Sequence, residues 1–87
     1  MQITKTGPNV TVLTLSSGSR VLFSYNAPVA VYVARSHGQY AGGYWKTSQF
    51  YSRTTSRHVA EFLMNAPADN VRIVEQSVID DYVKEAR

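Results

Sequence analysis

The chain has 87 residues, 44% of them apolar and 17% charged, and no cysteine; this suits a folded globule with one core and excludes a disulfide framework, a thiolate metal site and an intrinsically disordered chain. No apolar run approaches the roughly 18–20 residues that cross a bilayer, and no hydrophobic signal region opens the chain, so a soluble intracellular protein is expected. The net charge of +3 conceals a split, since residues 1–60 hold six cations and no acid while residues 61–87 hold three cations and all six acids, a distribution that points to an anionic partner.

Residues 10–15, V-T-V-L-T-L, nearly alternate Thr with aliphatic side chains, and a second run of strand formers, R-V-L-F-S-Y, occupies 20–25. The Ser16, Ser17, Gly18, Ser19 break between them predicts a hairpin. Asn26, Ala27 and Pro28 interrupt next, because proline has no ladder donor, and residues 29–34, V-A-V-Y-V-A, predict a third strand. Arg35 to Gly38 reads as a turn that contains His37. Residues 39–51 are rich in Tyr, Trp and Phe and predict one or two further strands, with Gly42 and Gly43 marking a bulge or bend.

From Ser52 the period lengthens. Thr54, Thr55 or Ser56 is expected to cap a helix whose apolar face is Val59, Phe62, Leu63 and Ala66. Arg57, Glu61 and Met64 fall opposite, His58 and Asn65 on a flank, and Pro67 stops the helix. Residues 71–74 form a short strand, and Ser77 caps a second helix with a stripe of Val78, Ile79, Tyr82, Val83 and Ala86. Asp80 and Asp81 near its start and Lys84 and Arg87 near its end suit the helix dipole. The pattern predicts one α+β domain over residues 1–87: an antiparallel sheet of about four or five strands packed on one face by two helices.

The densest candidate constellation runs from Tyr40 to His58, where Tyr44, Trp45, Phe50 and Tyr51 are interleaved with Lys46, Arg53, Arg57 and His58. Aromatic faces stack on unpaired bases while cations and hydroxyls hold phosphates, so the composition suits a single strand or RNA. The competing reading makes the aromatics the core of a small sheet. Residues 52–57 also suit an anion site, in which Arg53 and Arg57 clamp a phosphate beside free helix N–H groups; simple capping with solvated arginines explains the same residues. Arg57 and Glu61 stand at the spacing of an i, i+4 pair.

His58 has Ser52, Thr55 and Ser56 near it in sequence, but no orienting carboxylate and no nucleophile-elbow pattern accompany them, so no enzymatic activity is expected. Two histidines without cysteine or a carboxylate cluster make no metal motif, and the glycines form no phosphate-binding fingerprint. No cofactor is expected.

Three stretches resemble a group of small uncharacterised bacteriophage proteins classed as a domain of unknown function. They are residues 3–9 (I-T-K-T-G-P-N), residues 24–30 (S-Y-N-A-P-V-A), and Tyr44-Trp45-Lys46-Thr47 followed by residues 51–58 (Y-S-R-T-T-S-R-H). The likeness spans most of the chain up to Leu63 and implies a phage-encoded accessory protein in the host cytoplasm. It supplies no catalytic or binding residues.

The expected function is a non-enzymatic binding protein that contacts nucleic acid through Tyr44, Trp45, Lys46, Tyr51, Arg53, Arg57 and His58. The alternative is a phage protein that binds and inhibits or redirects a host protein through the same residues. Pairing of exposed sheet edges into a homo-oligomer is a third possibility.

Overall fold

The computed structural model describes residues 2–7, 9–34, 42–64, 66 and 71–86. The expected turn at residues 35–38 with His37, and also Tyr40, Asn65 and Pro67, lie outside them. In chain order the elements are β1 (Gln2–Gly7), β2 (Val10–Thr14), β3 (Arg20–Ser24), β4 (Ala27–Val33), β5 (Gly43–Thr47), α1 (Arg53–Phe62), β6 (Val71–Val74) and α2 (Gln76–Ala86). The strands form one six-stranded sheet in the order β1-β2-β3-β4-β5-β6. The α+β class, with a mostly antiparallel sheet and two helices, is the expected one.

The sheet is larger than the expected four or five strands because β1 adds an edge to β2. An edge strand needs little apolar content, so its polar I-T-K-T pattern carried no strand signal. Pro28 lies inside β4 instead of before it, opposite Phe23 and beside a register shift, where a missing ladder donor is tolerated. The turn ahead of it holds Tyr25 at φ 62°, and the Tyr25 N–H donates to the Asn9 carbonyl at 2.7 Å, so this turn and the one between β1 and β2 brace each other. In the β2–β3 hairpin the left-handed position, φ 94°, falls to Gly18, as the Ser/Gly break requires.

β6 pairs parallel to β5, against the expectation of a wholly antiparallel sheet. Parallel neighbours need a crossover, and α1 is that crossover.

The two helices lie on opposite faces of the sheet, which corrects the expectation that both cover one face. Cross-strand partners Leu13, Val21, Val31 and Trp45 make a row on one face, and Val12, Leu22, Ala30 and Lys46 make the neighbouring row on the other. Ile79, Tyr82 and Val83 of α2 pack on the first row. Val59 and Phe62 of α1 pack over Val10, Leu22, Val29 and Ala30. The cause is in β3 and β4, whose runs Val21-Leu22-Phe23 and Val29-Ala30-Val31 are apolar on consecutive positions and therefore need cover on both sides.

Candidate functional site

Strand alternation separates residues that are adjacent in sequence. Trp45 points under α2, 4% exposed, its ring 6.0 Å from that of Tyr82. It belongs to the core, which corrects its assignment to a binding surface. Tyr44 and Lys46 face the α1 side. The Tyr44 ring lies 4.8 Å from Tyr32 and 6.2 Å, edge-on, from Phe62. Arg20 fills the space among these rings, with its guanidinium 5.2 Å from the Tyr32 ring and 5.6 Å from that of Phe62, and it donates to the Tyr44 hydroxyl at 3.4 Å. Cation–π attraction and the hydrogen bond hold a charge on this face while covering apolar area.

α1 is capped by Ser52, whose Oγ accepts the Thr55 N–H at 3.1 Å. The cap thus lies earlier than the expected Thr54, Thr55 or Ser56. His58 is 8% exposed, not on a flank: its Nδ1 is 2.9 Å from Ser24 Oγ, which is also 2.9 Å from Thr55 Oγ1. Thr55 and His58 share the inner face of the helix with Val59 and Phe62, and Ser24 on β3 satisfies both polar groups. Nothing local announces Ser24, which is more than thirty residues from its partners. Because Ser24 Oγ is closed off from solvent, its pair with His58 acts as a tie between sheet and helix. Arg53 and Arg57 are exposed on α1, and Arg57 Nε is 4.0 Å from Glu61 Oε1.

The chain path makes a crevice at one end of the sheet. β5 runs into the N-terminus of α1 on one face, and β6 runs into the N-terminus of α2 on the other. Adjacent parallel strands whose connections leave to opposite faces open a gap at their carboxyl ends, the usual ligand position in open α/β sheets. Here the Ser48 N–H donates to the Val74 carbonyl at 2.8 Å and ties the two strand ends together. On the α1 side of this end, a cleft of about 120 Å³ lies between the close of β5 and α1, lined by Lys46, Thr47, Gln49, Tyr51, Thr55, Ser56 and Val59. It offers one ammonium and several hydroxyls, and no carboxylate lines it. Such a volume holds roughly four waters; it fits one phosphate-sized anion and is far below the ~300 Å³ of a small-molecule pocket.

Burial, and then the negative charge of Asp80, pushes the Tyr51 phenol above its ordinary value. Phe50 beside it is 71% exposed, and Tyr25 is exposed at the β3–β4 turn, the same end of the sheet. Of the candidate residues, Lys46 and Tyr51 line the cleft, Arg53, Arg57 and His58 lie on α1 outside its lining, Tyr44 is engaged in ring packing and Trp45 faces away. Ser24 and Tyr25 join them only through the tertiary fold.

The charges follow the two sides. Among the described residues, Arg20, Lys46, Arg53 and Arg57, with the acid Glu61, lie on the α1 side, whereas Asp80, Asp81 and Glu85, with Lys84, lie on α2, and Arg72, opposite Trp45, faces the same side as α2. Among the described residues no helix is long and apolar enough to cross a membrane, and no three His, Cys, Asp or Glu side chains gather to hold a metal. Residues 1–81 match the model of a family described as a family of unknown function, DUF8033. No curated protein and no solved structure matches the chain.

Proposed function

We propose that this chain, which belongs to the DUF8033 family of unknown function, is a non-enzymatic binding protein that takes single-stranded nucleic acid across its α1 side. The observation that carries the reading is the cleft at the carboxyl end of β5, where Lys46 meets Thr47, Thr55 and Ser56 and no carboxylate lines the wall. One backbone phosphate seats there. Exposed Phe50 next to it supplies a stacking face, and Arg53 and Arg57 meet the flanking phosphates. In this reading the protein is a phage accessory factor that works in the host cytoplasm, the setting implied by its resemblance to small phage proteins.

Fluorescence anisotropy with a labelled single strand over a salt series tests the reading. Lys46→Gln with Arg53→Gln should weaken binding and flatten the salt slope by about 0.7 for each phosphate that is no longer neutralised. Phe50→Ala should cost about 1–3 kcal/mol with the slope unchanged. Absence of binding at low salt would sink it.

A second reading, capture of a host protein, is favoured by Ile73. This residue sits 65% exposed on the edge strand β6, opposite Lys46 and on the same face, where an open strand edge accepts a partner strand. A stoichiometric host protein recovered from lysate by the wild type and lost with Ile73→Lys would support it over nucleic acid.

A further inference from the structure

Among the described residues the left-handed backbone region is taken by Gly18 at φ 94°, Gly43 at φ 123°, Asn9 at φ 62° and Tyr25 at φ 62°. Glycine enters it without steric cost and asparagine tolerates it, whereas a bulky side chain is strained there. Tyr25 is thus the exception. It stands first in the two-residue turn between the paired Ser24 and Ala27, a position that hairpins give to glycine or asparagine, and Asn26 follows it. The fold recovers little from the side chain. Its ring is 52% exposed and meets His58 at 6.4 Å, tilted by 43°. The brace to Asn9 uses the Tyr25 backbone N–H, which any residue but proline supplies, and His58 Nδ1 is already partnered by Ser24. A strained turn that holds an aromatic ring in solvent points to a role outside the fold.

We propose that Tyr25 is a second stacking residue for the single strand, an inference that rests on the binding reading above. Bound bases then run from Phe50, 71% exposed, past the start of α1 to the β3–β4 turn. Both rings lie at the same end of the sheet, and the contact with His58 puts Tyr25 on the α1 side with Lys46, Arg53 and Arg57. The charge of that side identifies the occupant. A polyanion is drawn to the cations, and every base offers a flat face on which a ring stacks whatever the sequence. One strand, β4, separates β3 from β5, so the turn and the end of β5 are about 10 Å apart. At ~3.4 Å per stacked nucleotide that path takes about three nucleotides, and a shorter strand reaches one ring only.

Two measurements on the intact chain test this, anisotropy with a labelled single strand of about six nucleotides and urea unfolding. Tyr25→Gly should bind the strand about tenfold more weakly than wild type, with the salt slope unchanged. Because glycine relieves the strained turn, its urea midpoint should be no lower than that of wild type. Tyr25→Phe keeps the ring and should bind within about twofold of wild type. In Tyr25→Trp the new indole emission should be quenched as the strand is added, while the emission of buried Trp45 in the wild type should not be. Loss of affinity together with a lower urea midpoint in Tyr25→Gly would make the ring a cover for His58 and overturn the proposal. So would a Tyr25→Phe variant as weak as Tyr25→Gly, or an unquenched Tyr25→Trp. Unchanged affinity in Tyr25→Gly beside weakened binding in Phe50→Ala overturns the second stacking residue and leaves the binding reading standing. No binding of the strand by the wild type at low salt overturns that reading and the role of Tyr25 with it.

Discussion

Tyr51 stands where the cleft, the start of α1 and the charge of α2 meet. Burial is the larger cause of its raised phenol and Asp80 the smaller. The folded chain therefore holds this proton more tightly than the unfolded chain does. Its contribution to stability is fully present below the ordinary tyrosine value of 10.0 and is lost as the pH rises through the higher folded value. In an alkaline absorbance titration, the component removed by Tyr51→Phe should have its midpoint above 10.0. Asp80→Asn should lower that midpoint by less than half of the whole shift, because burial remains. A Tyr51 midpoint at or below the ordinary value would refute this account of its surroundings. The same scale decides Trp45, which one step of strand alternation moves from the cationic side to the core under Tyr82.

α1 is an element held by polar as well as apolar contacts. Its inner face carries Thr55 and His58 beside Val59 and Phe62, and its first turn depends on Ser52. Removing that cap with Ser52→Ala should destabilise the protein by about 1 kcal/mol in urea titration. By contrast, Arg57→Ala should change stability by no more than about 0.5 kcal/mol, since its pair with Glu61 is exposed and reaches 4.0 Å. The reverse ranking would mean that the helix is held by its surface pair and not by its cap and inner face. The element also has a topological task, because only a connection of its length can return the chain to pair β6 parallel with β5. That return brings the carboxyl ends of both strands, and the N-termini of both helices, to one end of the sheet.

Across the whole molecule the sheet separates a cationic α1 side from an α2 side rich in acids. An electrostatic partner should therefore feel the two sides unequally. Neutralising Asp81 and Glu85 on α2, as Asp81→Asn with Glu85→Gln, should leave the salt slope of oligonucleotide binding unchanged. Neutralising Lys46 and Arg53 should flatten it. Equal effects from the two pairs would mean that net charge matters and its placement does not. The fold sharpens the charge split of the sequence from two halves of a chain into two sides of a sheet.

Local pattern in the chain is enough to specify the central strands β2, β3 and β4, the existence and inner stripe of α2, the existence of α1, and the α+β class. These depend on periodicity and turn chemistry within about ten residues, which is information the chain carries locally. The reason for covering both faces is also written there, in the consecutive apolar positions of β3 and β4, although that pattern specifies no partner. Which helix covers which face, the parallel pairing of β6, the burial of Trp45 and the inward place of His58 are settled by the folded arrangement. Each of these turns on contacts between distant residues, such as Ser24 with His58 across 34 positions and Arg20 with Tyr44 across 24. Side-chain alternation and the crossover of α1 bring those residues together, whereas the lining of the cleft comes from the single stretch 46–59, whose shape depends on how α1 packs back on β5.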